Sequence, residues 1–418
     1  MSDSYYRSLA QQLAQGAARA TVSDRKPSNP ALREYLLEKF SQLPGTDGSF
    51  LGLPVFEALF EYESQGLTLK QLGMLHPTLV DVLDRPPSEH FGQRFPKTRF
   101  PYRHQVAAWE SLKAEPARSA IVSTGTASGK TECFLMPILD DLVREYEQTR
   151  QPLLGVRALF LYPLNALINS QRERLGAWTA GLNGGVRFCL YNGATPERVP
   201  AATEAATPEQ VQCRRTLRAT PPPILVTNAT MLEYMLVRND DQPIINQSQG
   251  QLRWIVLDEA HTYLGSNAAE VSLLLRRVMH AFGANPENVH FVATSATIGG
   301  EGAEENLRNY LADLAGISSS RVDVITGRRV TPELGGQHDG TSPLLSIQEL
   351  NSLETYAQRR ERLSAVPAIR DLRTQLTDDA LDLQQIGERL GTEEPNETLA
   401  ILDACSEEPI DDLSLIHI

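Results

Sequence analysis

Lys130 and Thr131 close the run Ser123-Thr124-Gly125-Thr126-Ala127-Ser128-Gly129-Lys130-Thr131, which separates the apolar stretch Ala120-Ile121-Val122 from a helical pattern starting at Glu132. An apolar strand that empties into a turn of small residues and then a helix aims backbone N–H groups at one point, which suits phosphate oxygens. The N–H groups of Thr126, Ala127, Ser128 and Gly129 form the expected cradle. Lys130 would sit over the outer phosphates, and the Thr131 hydroxyl would ligate Mg²⁺. The full phosphate-loop pattern asks for glycine where Thr124 stands, and a small-residue helix start with a solvated lysine is the lesser alternative for this run alone.

A second group of residues narrows the choice. Asp258-Glu259-Ala260-His261 ends another apolar run, Trp254-Ile255-Val256-Leu257. Hydrolysis of ATP needs Mg²⁺ across the outer phosphates, held by a hydroxyl and a carboxylate, and a base for the attacking water. On a strand expected beside the phosphate-loop strand, Asp258 would hold the ion and Glu259 would act as general base. Ser295 and Thr297 follow the run Phe291-Val292-Ala293-Thr294, and hydrogen bonds between them and His261 would link nucleotide state to movement. Upstream, Tyr102-Arg103-His104-Gln105 leads into a helix over 106–112. The Gln105 amide offers a donor and an acceptor to an adenine edge, with Tyr102 or Phe100 stacking on the base. A helix cap with an aromatic staple explains the same residues equally well.

These side chains need a scaffold, and the pattern supplies one. Apolar, β-rich runs occur at 156–162, 186–191, 224–227, 254–258, 289–294 and 322–325, with helical patterns at 164–180, 231–237, 268–282 and 305–315. Short apolar strands without polar alternation mark a parallel sheet covered on both faces, which binds ligands at the carboxyl ends of its strands. The Ala-, Thr- and Pro-rich segment 194–223 reads as a surface excursion with a short helix over 208–218, leaving Arg214, Arg215 and Arg218 in solvent. Helices expected over 1–21, 31–43, 54–64 and 69–83 make residues 1–94 a helical accessory domain. Residues 95–330 form the α/β core, and 331–418 form an acidic helical segment with helices over 353–362, 371–376 and 379–390.

Composition sets outer limits. A chain of 418 residues has room for about two or three domains. Its content of 41% hydrophobic and 22% charged residues is that of an ordinary globular protein. The net charge of −13 is concentrated at one end: 18 acidic and 6 basic residues lie from Thr331 onward, against 34 and 33 before it. A nearly neutral core can still present arginine on one face, so overall acidity does not exclude a phosphate-rich partner. Cys133, Cys189, Cys213 and Cys405 are widely spaced without a C-x-x-C pair, which suggests buried thiols in a reducing compartment rather than zinc or redox chemistry. With no signal-peptide pattern and no run approaching the ~18 apolar residues of a membrane span, the sequence reads as cytoplasmic, without a membrane partner.

Taken in order, these motifs resemble the first RecA-like motor domain of superfamily-2 helicases of the DEAD/DEAH-box kind, over residues 95–327. Motif I resembles Thr124–Thr131, with Ala127 where many of these helicases carry glycine. Motif II is Asp258-Glu259-Ala260-His261, motif III is Ser295-Ala296-Thr297, and Tyr102–Gln105 is Q-like. Elements that grip a nucleic-acid backbone in the family look like Tyr162-Pro163-Leu164-Asn165-Ala166-Leu167 with Gln171, and Thr227-Asn228-Ala229-Thr230-Met231-Leu232. The resemblance therefore implies backbone contacts from Pro163, Asn165, Gln171, Thr227, Asn228 and Met231. Tyr191-Asn192-Gly193-Ala194-Thr195-Pro196 also matches a segment seen there. The phosphate loop, with His261-Thr262-Tyr263 and a helix carrying Arg276-Arg277, looks most like the MrfA-type and Lhr-like DNA helicases.

That resemblance implies a RecA-like P-loop fold, ATP and Mg²⁺ as cofactors, and 3′→5′ movement on DNA, with RNA as the alternative substrate. It also implies a second RecA-like domain bearing arginine fingers, which is not found after residue 331. The expectation is a fragment of a longer motor, or a motor completed in trans, with weak or no ATP hydrolysis by the isolated chain. A different class of function, a nucleotide-switched regulatory or scaffold domain docking through residues 1–94, accounts for the same absence.

Overall fold

The computed structural model describes residues 5–42, 44, 49–58, 60–125, 128–295, 302–330, 343–353, 355–392 and 394–405. Two compact units emerge, Met1–Glu61 with Arg329–Ile418, and Tyr62–Arg328.

The second unit contains the sheet. Its strands are β1 (Ser119–Ser123), β2 (Ala158–Leu161), β3 (Phe188–Leu190), β4 (Gln210–Val211), β5 (Ile224–Thr227), β6 (Trp254–Leu257), β7 (His290–Ser295) and β8 (Val322–Thr326). They lie in the order β4-β3-β5-β2-β6-β7-β1-β8, and every pairing is parallel. All carboxyl ends therefore share one edge of the sheet. The helices that position the site are α1 (Arg103–Leu112), α2 (Lys130–Thr149), α3 (Asn165–Thr179), α4 (Ala229–Val237), α5 (Ser266–Ala281) and α6 (Ala303–Ala315).

Because strand side chains alternate between faces, neighbouring residues of one strand enter different cores. Val122, Phe160, Val256 and Val292 pack with Trp109 of α1, Phe134 and Leu139 of α2, and Leu175 and Trp178 of α3. Ile121, Leu159, Ile255 and Ala293 pack instead with Leu232 of α4, Leu275 of α5 and Leu311 of α6. This is the α/β fold of a RecA-like domain, a parallel sheet with helices on both faces. Burial of each large apolar side chain contributes about 1.5–3 kcal/mol, so the strand tips sit on a rigid slab.

Several expectations change. Residues 62–94 do not belong to an accessory domain: Leu69, Leu79 and Leu83 lie in the same core as α1 and α2. The helix expected over 69–83 is broken into Leu69–Leu72 and Pro77–Asp84, because Gly73 turns left-handed at φ 61° and Pro77 starts the second piece. The helix expected over 208–218 divides into strand β4 and the helix Arg214–Ala219. Arg218 is not solvated, since its Nε donates to the fully buried Asp241 at 2.8 Å and its Nη1 pairs with Glu197 at 2.7 Å. Arg214 donates from Nε to the Thr195 carbonyl at 2.9 Å, while Arg215 is exposed as expected.

In the first unit, the helix Tyr5–Arg25 buries Tyr6, Ala10, Ala14, Ala18 and Val22, a four-residue spacing that puts them on one face. Tyr6 and Phe56 share a core with Leu363, Leu376, Ile386 and Leu402. Among the described residues of 54–64 no helix forms: Val55–Phe56 pairs antiparallel with Leu381–Asp382, and the Ala58 N–H donates to the Leu376 carbonyl at 2.8 Å. Pairing between the two ends of the chain thus overrides a helical pattern. The acidic segment is helical at Ile347–Asn351, Tyr356–Ser364, Pro367–Asp378, Leu383–Leu390 and Pro395–Cys405. All four cysteines are buried free thiols. Among the described residues no helix is long and apolar enough to cross a membrane.

Candidate functional site

The phosphate-loop candidate sits between β1 and α2. Gly129 opens α2 with φ 74°, a left-handed turn that glycine adopts at no steric cost. Side chains from outside the loop fix its peptide groups. The Gly125 N–H donates to the Tyr62 hydroxyl at 3.0 Å, His104 Nε2–H donates to the Ser128 carbonyl at 2.8 Å, and Gln105 Nε2 donates to the Gly129 carbonyl at 3.3 Å. Within the loop, Thr124 Oγ1 and Ser128 Oγ are 2.6 Å apart. Thr126 and Ala127 lie outside the described residues.

Gln105 is buried, and its Oε1 accepts from the Tyr102 N–H at 3.0 Å. Its amide therefore serves the helix cap and the loop. Tyr102 stacks on His104 with ring centres 5.5 Å apart, and Tyr62 meets His104 edge-on at 5.0 Å. Burial pushes the His104 pKa below its ordinary value, against the opposing pull of the Ser128 carbonyl and Glu132. Trp109 of α1 donates from Nε1 to the Glu132 carbonyl at 2.9 Å, tying α1 to the first turn of α2.

Asp258 lies at the end of β6. That strand is not beside β1: β7 runs between them and pairs with both, so the side-by-side placement expected from sequence is corrected by one strand. Side chains close the gap. Lys130 Nζ donates to the Thr124 carbonyl at 3.2 Å and the Ser295 carbonyl at 3.5 Å, reaching the tip of β7. From β7, Thr294 Oγ1 donates to Asp258 Oδ1 and accepts from the Glu259 N–H at 3.1 Å. Burial, the largest influence, raises the Asp258 carboxyl above its usual range; Glu259 adds to this, while the Thr294 bond and Lys130 oppose it.

Glu259 is left-handed at φ 50° and ψ 47°, a conformation costing about 1–2 kcal/mol outside glycine. Its side chain is 33% exposed, and Oε2 lies 3.4 Å from His261 Nδ1. His261 thus faces Glu259. The Ser295 Oγ is buried without a hydrogen-bond partner among the described residues, and Thr297 lies outside them. Tyr310 of α6 steadies the following turn, its hydroxyl 2.7 Å from the Ala260 carbonyl and 3.0 Å from that of Tyr263.

For a metal ion the residues fit Mg²⁺ better than a protein cage. Among the described residues no group of three or more His, Cys, Asp or Glu could hold an ion. Mg²⁺ is commonly bound through one or two carboxylates plus substrate phosphates, and a half-buried carboxylate beside a lysine-bearing anion cradle offers that donor set. Thr131, half-buried in the first turn of α2, can supply the hydroxyl.

The strand-tip candidates for gripping a backbone form one pair and a support. Asn228 caps α4, its Oδ1 accepting from the Met231 N–H at 2.8 Å, and its Nδ2 donates to Oδ1 of exposed Asn165 at 2.8 Å. Pro163 and Gln171 are half-buried nearby on the same chain segment. Thr227 and Met231, however, are buried; the Thr227 hydroxyl donates to the Tyr191 carbonyl at 2.7 Å. Their side chains face the core, and the Met231 N–H holds the Asn228 cap in place.

Sequence reasoning passes over Tyr62, His104, Trp109 and Thr294. Two had a signal, since His104 sits inside Tyr102–Gln105 and Thr294 immediately precedes Ser295. Tyr62 lies far upstream, with no local pattern to mark it.

Residues 102–305 match the model of the DEAD/DEAH box helicase family. The chain is 30% identical over 365 aligned positions to the Druantia protein DruE of Escherichia coli (strain UMEA 4076-1), covering 65% of this chain and 20% of that protein. It is 28% identical over 200 positions to the uncharacterized ATP-dependent helicase YprA of Bacillus subtilis, with 47% and 23% covered. Over 265 positions it is 28% identical to the ATP-dependent helicase hrq1 of Schizosaccharomyces pombe, with 60% and 21% covered. The chain therefore spans about a fifth to a quarter of the length of these curated relatives.

Proposed function

We propose that this chain, whose residues 102–305 match the model of the DEAD/DEAH box helicase family, hydrolyses ATP with Mg²⁺ at this site to drive a helicase or translocase along nucleic acid, DNA foremost. The observation that carries this reading is the meeting of Lys130 with the acidic pair across β7: Lys130 Nζ reaches the Ser295 carbonyl at 3.5 Å, and the preceding residue bonds Asp258.

When bound, Mg²⁺ would neutralise charge on the outer phosphates and orient them for in-line attack. The residues to hold it are Thr131 and Asp258. Lys130 offers a point charge to the phosphates, and the loop N–H groups cradle them. Glu259, half-buried like its neighbour Asp258, is placed to take the proton of the attacking water. Asn165 and Asn228 project from the ends of β2 and β5, where amides can contact a phosphate backbone without reading bases. The remaining transition-state charge would be met by arginines of a second RecA-like domain, in cis within a longer protein or in trans.

The test is ATP turnover by the full-length protein with DNA or RNA added in separate arms. DNA is expected to stimulate turnover, and Lys130→Ala and Glu259→Gln are each expected to lower it at least ~100-fold. Undiminished turnover in both variants would overturn the assignment, and stimulation by RNA alone would move it to RNA.

A further inference from the structure

We propose that Thr294 is the positioning residue of the acidic pair, one hydroxyl that aims the Asp258 carboxylate and holds the Glu259 turn at the same time. The inference rests on the ATP-hydrolysing reading above and assigns a role to a residue that precedes the recognisable Ser-Ala-Thr motif.

Hydrogen-bond direction carries the argument. The Glu259 N–H can only donate, so at 3.1 Å it uses a lone pair of Thr294 Oγ1. The hydroxyl hydrogen is then free to point at Asp258 Oδ1, the other bonded atom. Thr294 is fully buried, and as a β-branched residue in a strand it has restricted rotation about χ1. The hydroxyl therefore stands at a fixed place on the sheet, and both groups it touches are referred to that place.

With Oδ1 engaged by Thr294, the other carboxylate oxygen, Oδ2, remains to face a metal ion. The bond to the Glu259 N–H acts differently, pinning a peptide group next to a residue at φ 50°. Loss of that bond frees the backbone to relax from a sparsely populated conformation, and the Glu259 carboxylate would swing with it. The neighbouring hydroxyl does not share this task. Ser295 Oγ is buried without a partner among the described residues, and alternation along β7 directs it to the opposite face from Thr294.

This assignment separates two effects that a merely structural threonine would not. Thr294→Val keeps the shape and removes the hydroxyl; Thr294→Ser keeps the hydroxyl. The first measurement is equilibrium binding of fluorescently labelled ADP to the full chain, with and without Mg²⁺. In Thr294→Val the tightening produced by Mg²⁺ should shrink by roughly tenfold, the scale of a lost hydrogen bond to a charged group, with metal-free binding little changed. Thr294→Ser should restore the tightening.

The second measurement needs no nucleotide: amide hydrogen exchange at Glu259 should accelerate about tenfold or more in Thr294→Val and return toward the parent rate in Thr294→Ser. The third is a double-mutant cycle in which the Thr294→Val effect on Mg²⁺-dependent binding disappears in an Asp258→Asn background. Thr294→Ala is carried alongside, so that a folding failure of the valine variant, seen by circular dichroism, still leaves the same comparisons to be made. Equal Mg²⁺ tightening and equal Glu259 exchange in parent and hydroxyl-free variants would overturn the role of Thr294 while leaving the ATPase reading intact. Absence of nucleotide binding by the parent protein would instead strike at that reading itself.

Discussion

Between β1 and α2 the phosphate loop is fastened at Gly125, Ser128 and Gly129 by Tyr62, His104 and Gln105, whereas the Asp258 carboxylate and the Glu259 N–H share the hydroxyl of Thr294. The lysine half is built for redundancy: bonds from different elements hold one loop, and loss of any one leaves the others in place. The acidic half is built for leverage, because a single buried hydroxyl sets two functional groups. A loop that must keep its N–H groups convergent gains from many weak restraints. A carboxylate and a base that must keep a fixed mutual offset gain from a common reference. The contrast predicts that changes to any one side chain fastening the phosphate loop are mild, while one change at Thr294 is felt by both acids.

Among the residues that shape the loop, the largest effect should come from its glycine turn. A Cβ at Gly129 would lie 2.2 Å from Gln105 Nε2 and 3.1 Å from Glu132 Oε2, at φ 74°. Gln105 is buried with both ends of its amide engaged, so it cannot step aside without breaking the cap of α1. Gly129→Ala should lower stability by about 2 kcal/mol, from left-handed strain plus displaced hydrogen bonds, and weaken nucleotide binding. Denaturant unfolding and labelled-ADP titration read the two losses; a variant as stable as its parent would show that the loop is far more pliant than its restraints suggest. Next in size is Tyr62→Phe, which removes one member of the redundant set. It should cost about 1 kcal/mol and shift nucleotide affinity only a few-fold. A collapse of binding in Tyr62→Phe would reverse the comparison, making the lysine half as dependent on one hydroxyl as the acidic half.

How much of this is legible in the sequence follows from which interactions are local. The central strands are legible because each is a short apolar run buried on both faces, whereas β4, Gln210–Val211, is not an apolar run and hides in a helical pattern; the motifs fall at strand ends because glycine, serine and acidic residues interrupt those runs. Strand order is not legible: nothing in 254–258 says that the strand carrying Thr294 inserts between Asp258 and Lys130, since parallel pairing is set by crossovers and packing rather than by adjacent residues. For the same reason the helical pattern at 54–64 misleads, because Leu381–Asp382, far along the chain, claims Val55–Phe56 as a strand partner. Of the site itself, Lys130, Asp258 and Glu259 declare themselves by type and spacing. The residues that hold them do so from a distance, Tyr62 on Gly125 and Thr294 on Asp258; Tyr62 carries no local mark of that duty, and Thr294 carries only its place beside Ser295.

The smallest expected effect separates the halves by acidity. His104 supports the loop through Ser128 and is buried, and burial holds its pKa below the ordinary histidine value of 6.5. In the interval between the folded pKa and 6.5 the unfolded chain binds more protons, so stability rises with pH there. The stabilisation is complete above about pH 6.5 and is lost as the pH falls through the folded value. The pKa of His290, stacked on Trp254 at the opposite end of the sheet, is lowered by burial in the same sense, so both histidines contribute to the slope. Thermal midpoints of the parent and of His104→Asn, followed from about pH 8 to about pH 5, should both decline, with the shallower decline in the variant. Equal slopes would mean that His104 titrates as a solvent-exposed histidine does, and that the shelf under the phosphate loop is open to water rather than packed against it.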